Sequence, residues 1–254
     1  MTFYTKAEFT CSRDGLTIAG TQYIPTKGDR LPILILSHGF MANQGSVRRY
    51  AKRMAREGYA CFIFDFNGGG LKSKSAGKKT DMTVFTEVAD LKAVLAYARS
   101  LSCTNSSDVT LMGCSQGGFV SAITAAELKD DINRIVLFYP ALCIPDDARK
   151  GHMMFAEFDP QNIPEIIHCG PMTLGRDYAG TVMNVDAFEL IEPYQGEVLI
   201  VHGTKDPIVD YSYAVRANER YQNSRLVTIE NGGHGFRGKY DRQATAALVS
   251  YLKK

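Results

Sequence analysis

Short runs of uninterrupted apolar residues recur along this chain, each followed by a segment with helical spacing. Pro32-Ile-Leu-Ile-Leu36 is the first, Tyr59-Ala-Cys-Phe-Ile-Phe64 the second, and Val109-Thr-Leu-Met112, Ile135-Val-Leu-Phe138, Val198-Leu-Ile-Val201 and Leu226-Val-Thr-Ile229 follow. A strand with one wet face alternates apolar and polar side chains. A run without that alternation is covered on both faces, the condition of a parallel sheet flanked by helices. Ser46 to Gly58 reads as a helix, and Val84, Val88, Leu91, Leu95 and Ala98 recur at helical spacing. Phe119, Ala122, Ile123 and Ala126 form another helical face, and Ala244, Ala247, Leu248, Tyr251 and Leu252 close the chain as an amphipathic helix. The pattern predicts the α/β class: an open, mostly parallel twisted sheet with helices on both faces. Ahead of it, Phe9 to Ile24 reads as two strands around Arg13-Asp14-Gly15, an antiparallel hairpin.

The rhythm breaks once. Between Tyr139-Pro140 and Glu197 there are several prolines, methionines at 153, 154 and 172, and no clear buried strand. Long stretches of this kind inside a compact domain are usually lids or binding elements. The expected organisation is therefore one domain over residues 1–254 with a small cap inserted at about 141–194.

Composition narrows the function. Lys+Arg 29 against Asp+Glu 27 is too balanced for the basic surface that nucleic-acid binding needs. The first residues lack a basic stretch followed by an apolar core, and no apolar run approaches the ~20 residues of a membrane span. A cytoplasmic protein without membrane or nucleic-acid partners is expected, with a homodimer compatible with that setting. Six cysteines are scattered without C-x-x-C pairs, which favours buried free thiols over disulfides or zinc. Lys72, Lys74, Lys78 and Lys79 read as a solvated loop, and Arg49, Arg53 and Arg56 as the wet side of a helix. Gly68-Gly-Gly-Leu-Lys-Ser73 fails the phosphate-loop pattern because leucine precedes the lysine.

Gly113-Cys-Ser-Gln-Gly117 matches G-x-S-x-G and lies between a buried strand and a helix. In that setting the serine occupies a sharp strand-to-helix turn, and the small flanking residues let neighbouring backbone pass. A serine hydroxyl is a weak nucleophile; it needs a base in reach and an acid that holds the base in the right tautomer. Asp206, in the loop after a late strand, and His234, after the last strand, supply both in the chain order Ser, Asp, His. Asp210 is the alternative acid, but it directly precedes a helix and reads more simply as its N-cap. His38 and His202 lie at strand ends before glycines and read as structural, while His152 and His168 fall in the cap. Ser37-His-Gly-Phe40 ends the first buried strand beside the elbow, so the backbone N–H groups of Phe40 and Gln116 are the candidate oxyanion donors.

Taken together, Ser37-His-Gly-Phe40, Asp65-Phe-Asn-Gly68, Asp81-Met-Thr-Val84 with Glu87 and Asp90, Gly113-Cys-Ser-Gln-Gly-Gly118, Tyr139-Pro-Ala141 and His202-Gly-Thr-Lys-Asp206 carry a resemblance. The chain resembles the α/β-hydrolase superfamily over its whole length and, within it, the bacterial feruloyl (cinnamoyl) esterases. The resemblance implies a cofactor-free and metal-free serine carboxylesterase that acts on small-molecule esters of hydroxycinnamic acids. It also implies that a cap aspartate and a cap tyrosine contact the ring hydroxyls, matched here by Asp147 and Tyr178. The loop after Gly68 lacks the histidine usual in that family, and the cap around Cys143 to Met154 has a composition of its own. A short-chain or monoacylglycerol-type esterase and a prolyl-peptidase-type serine peptidase share the same three residues. A hydrolase fold kept as a small-molecule receptor is the non-enzyme alternative.

Overall fold

The computed structural model describes residues 2–253. In chain order its elements are β1 (Tyr4–Arg13), β2 (Leu16–Pro25), β3 (Leu31–Ser37), α1 (Arg48–Arg56), β4 (Ala60–Phe64), α2 (Val84–Ser100), β5 (Thr104–Cys114), α3 (Gln116–Leu128) and β6 (Arg134–Phe138). After β6 the chain forms α4 (Ile144–Arg149), β7 (His152–Met153), β8 (Ala156–Glu157), β9 (Ile166–Cys169), β10 (Met172–Gly175), α5 (Arg176–Met183) and α6 (Ala187–Ile191). It then returns through β11 (Glu197–Gly203), α7 (Tyr211–Arg220), β12 (Ser224–Ile229) and α8 (Lys239–Leu252).

The main sheet has eight strands in the order β1-β2-β4-β3-β5-β6-β11-β12. The strands from β4 to β12 pair in parallel, while β1 with β2 and β2 with β4 are antiparallel. Asp14 and Gly15 turn the first hairpin with φ of 50° and 79°. Two positive values suit the twist of the flanking strands.

Side-chain alternation explains the uninterrupted apolar runs. Ile33 and Ile35, Phe62 and Phe64, Ile135 and Leu137, and Val198 and Ile200 pack with α2 and α3 on one face. Their neighbours Leu34 and Leu36, Cys61 and Ile63, Val136 and Phe138, and Leu199 and Val201 pack with α1 and α8 on the other. Helix α3 is buried from Gln116 to Ala126, the burial expected of a helix apolar on all sides. No helix among the described residues is long and apolar enough to cross a membrane.

Two details differ from the sequence reading. β5 begins at Thr104, five residues before its apolar run, because the polar stretch around Ser106 and Ser107 bulges out between Asn105 and Val109. The segment between β6 and β11 contains two small antiparallel ribbons, β7–β8 and β9–β10. They are too short, and β9 too alternating (exposed Ile166 and His168, buried Ile167 and Cys169), to show as buried runs. The expected wet side of α1 is exposed at Arg49, Arg53 and Arg56, with Arg49 also reaching Asp241 of α8 at 2.7 Å.

The first hairpin and the loop after β4 are tied to α2 by a buried carboxylate. Asp90 on α2 accepts from Arg13 Nε at 2.8 Å, from the Asn67 backbone N–H at 2.8 Å and from Asn67 Nδ2 at 2.9 Å. Asp90→Ala leaves these donors without an acceptor, and its expected cost is about 3 kcal/mol, read as a lower urea midpoint. Asp14→Asn removes only the charge of the exposed second partner of Arg13 and suits the same positive-φ turn, so its midpoint is expected to match the parent's; equal midpoints for both variants would contradict this assignment.

Candidate active site

The parallel strands end together, and the residues singled out in the sequence lie along that edge. Ser115 follows β5 and opens α3 with φ 56° and ψ −124°. This backbone conformation is costly for a residue with a Cβ and needs support from its surroundings. The Ser115 N–H donates to the Phe138 carbonyl at 2.9 Å, and its own carbonyl accepts from Gly118 at 2.8 Å and Ala141 at 3.0 Å. A Cβ on Gly113 would lie 2.0 Å from the Gly117 carbonyl oxygen, and one on Gly117 would lie 2.3 Å from that of His38. Both glycines are therefore required for β3, β5 and α3 to meet.

The Ser115 hydroxyl donates to His234 Nε2 at 3.0 Å, and His234 Nδ1–H donates to Asp206 Oδ2 at 2.8 Å. The other carboxylate oxygen accepts from the backbone N–H of Ile208 at 2.9 Å and of Val209 at 3.0 Å. Asp210 caps α7 by accepting from the Ser212 N–H and takes no part in this chain of hydrogen bonds. The Tyr139 ring packs 4.6 Å, centroid to centroid, from the imidazole of His234.

The two histidines read as structural have different surroundings. His38 donates from Nδ1 to the Gly39 carbonyl at 2.8 Å and accepts at Nε2 from the Phe66 N–H at 3.2 Å. Burial keeps it neutral, pushing its pKa down. It thereby braces the loop that carries Phe40. His202 is fully buried, with Nε2 3.0 Å from the Val209 carbonyl and 3.3 Å from Asp206 Oδ2. Its contact with the acid was missed in the sequence; the signal was its position four residues before Asp206 at the end of one strand.

Gly39 packs against the Ser115 side chain, where an added Cβ would lie 3.0 Å from Ser115 Cβ. Phe40, the next residue, lines the same cavity as Ser115 and Gln116, and Gln116 is the first residue of α3. Backbone donors at a helix start have no partner within the helix.

A cavity of about 140 Å³ opens at Ser115. Phe40, Gln116, Ala141, Ile144, Met153, Leu174 and Val209 line it, together with Asp147 of α4 and Tyr178 of α5. Burial raises the Asp147 carboxyl above its usual range, with Cys143, His152 and Lys150 opposing. Tyr178 is buried 5.7 Å from the Phe40 ring and donates its hydroxyl to Gln116 Oε1 at 2.5 Å. Gln116 Nε2 in turn donates to buried Glu87 at 2.7 Å. Sequence reasoning used Gln116 only for its backbone and gave Glu87 no role. Among the described residues no group of three or more His, Cys, Asp or Glu side chains is placed to hold a metal ion.

Likenesses to known proteins bear on this geometry. Residues 29–167 match the family described as "Serine aminopeptidase, S33", and residues 181–254 match one described as "TAP-like protein". The structure of Est1E from Butyrivibrio proteoclasticus with bound ferulic acid is similar at a TM-score of 0.89 and 28% identity, covering 96% of this chain and 98% of that one. A second structure of the same protein is similar at 0.85 and 26% identity, covering 97% and 98%. The quorum-quenching protein AidA of Acinetobacter baumannii is 34% identical over 109 residues, which span 41% of this chain and 34% of that protein.

Burial raises the Asp206 carboxyl, but the hydrogen bonds from His202, His234 and the Val209 amide overcome it and hold the group well below the usual carboxylate range. A carboxyl depressed on folding stabilises the protein above its unfolded value of about 3.9, and that contribution is lost as pH falls through the lower folded value. The destabilisation caused by Asp206→Asn is therefore expected to shrink between about pH 4 and pH 2 in chemical denaturation. A penalty independent of pH over that range would contradict the assignment.

Proposed function

The chain belongs to the α/β-hydrolase family described as "Serine aminopeptidase, S33", and within it we propose a serine carboxylesterase that cleaves esters of hydroxycinnamic, ferulic-type or similar small aromatic acids. Ser115 attacks the ester carbonyl while His234 takes its proton, and the Phe40 and Gln116 N–H groups receive the developing oxyanion. His234 returns the proton to the leaving alcohol, which leaves the acyl group on Ser115. A water activated by His234 then releases the acid, and Asp206 holds the imidazole in orientation throughout. The mechanism calls on no cofactor. The segment 141–194 acts as the cap of a single hydrolase domain, bringing Asp147 and Tyr178 to the ring of the acyl group.

The observation that carries this reading is the cavity at Ser115. Its volume of about 140 Å³ is close to the roughly 150 Å³ of an engineered protein cavity that takes up benzene. A single aromatic ring suits that space better than a long acyl chain or a peptide segment. The whole-chain likeness to a protein crystallised with ferulic acid supports the same choice. Six free thiols, four of them buried, support a cytoplasmic setting.

The peptidase reading draws on the family description and on Asp147 as an anchor for a substrate amine. Values of kcat/KM for methyl ferulate, p-nitrophenyl butyrate and an aminoacyl anilide separate the alternatives. Ferulate is expected to be the best of the three. Tyr178→Phe and Asp147→Asn are each expected to lower its kcat/KM about tenfold, by a larger factor than they lower that of butyrate. Butyrate as the best substrate, with both variants acting equally on all three, would make this a generalist esterase; anilide as the best substrate would make it a peptidase.

A further inference from the structure

Glu87 lies in the first turn of α2, 1% exposed. Asp90, also a carboxyl, acts on it electrostatically, and among the described residues its side chain bonds only Gln116. Its Oε1 has no partner among the described residues and is pressed towards Gly69, where an added Cβ would lie 2.6 Å away. Burial pushes the carboxyl well above its usual range, Asp90 adds to the effect, and the Gln116 hydrogen bond only partly opposes it. A neutral carboxyl with its proton on Oε1 still offers Oε2 as an acceptor, which is the atom that Gln116 Nε2 meets at 2.7 Å. The proposed reaction does not call on this group.

The consequence is felt two residues away in the chain of hydrogen bonds. With Nε2 of Gln116 committed to Glu87, the amide oxygen faces Tyr178 and takes its hydroxyl proton at 2.5 Å. A phenol has one proton to give but two lone pairs. We infer that Glu87 is a positioning residue for substrate selection: acting through Gln116, it commits the Tyr178 proton away from the cavity, so that Tyr178 meets a ring substituent as an acceptor. The inference rests on the aromatic-ester reading above. It makes the pocket selective for ring substituents that donate, a hydroxyl, over those that only accept, a methoxy group at the same carbon. An ether there would leave the buried Tyr178 oxygen with no donor for its free lone pair, and sites built around a hydrogen bond discriminate strongly against analogues that lack it. The same glutamine supplies one of the two oxyanion N–H groups from its backbone, so ring recognition and carbonyl positioning share one residue.

The test is the ratio of kcat/KM for methyl para-hydroxycinnamate over methyl para-methoxycinnamate, in which any general loss of activity cancels. It is measured on the parent, Glu87→Gln, Glu87→Met and Gln116→Leu, with thermal unfolding to establish that each is folded. The parent ratio is expected to be about ten or more. Glu87→Gln, whose amide oxygen can still accept from Gln116, is expected to keep it. Glu87→Met and Gln116→Leu release the Tyr178 proton, and each is expected to lower the ratio at least about fivefold. Gln116→Leu keeps the backbone donor and tests the intermediary, and Glu87→Leu serves if Glu87→Met does not fold. A parent that discriminates, with the apolar Glu87 variant discriminating equally well, would overturn the role of Glu87 alone. A parent ratio near one would overturn the ring reading and this inference together.

Discussion

Ser115 sits at φ 56°, a backbone conformation that residues with a side chain adopt only when their surroundings hold them there. What holds it is the meeting of three backbones. β5 hands its direction to α3 within one residue, the Phe138 carbonyl takes the Ser115 N–H, and α3 passes so close to the end of β3 that position 117 has no room for a Cβ. Because β3 is pinned there, Gly39 lies against the Ser115 side chain, and the proposed oxyanion donors follow from the same crossing that carries the proposed nucleophile. The geometry of the site is thus a consequence of how the sheet is packed, more than of any one side-chain interaction.

Around that crossing, buried polar groups are satisfied in chains that tie loops to the sheet edge. Asp65 accepts from the Gln44 N–H at 2.7 Å and the Lys74 N–H at 3.0 Å, holding the loops after β3 and β4 together. Asp206 collects two backbone amides, His234 and the nearby His202. Because Pro207, Ile208 and Val209 also line the cavity, the acid and the pocket wall are carried by one short turn. A shift in that turn would reach both the hydrogen-bond chain and the shape of the pocket.

The sheet, its antiparallel front and the strand-end placement of Ser115, Asp206 and His234 were legible because each depends on local signals. These are apolar runs that two covered faces demand, glycines that a close crossing demands, and polar residues just past strand ends. What was not legible depends on distance. The ribbons of the segment between β6 and β11 are two to four residues long and carry no periodicity to read. The bond from Tyr178 to Gln116 spans 62 residues and that from Gln116 to Glu87 spans 29, and neither leaves a spacing pattern in the chain. His202 reads as structural because a histidine at a strand end usually is; its place four residues before Asp206 hints at a contact, and the fold shows the turn that brings the carboxylate back to it.

The proposed mechanism requires a covalent acyl group at Ser115. Rapid acid quench of the protein with methyl ferulate in excess, followed by mass spectrometry of the peptide containing residues 113–118, measures it directly. The expected result is a transient feruloyl adduct on Ser115 that forms with the first turnover and decays as substrate is consumed. Turnover without any adduct at Ser115, or an adduct on another residue, would contradict the account.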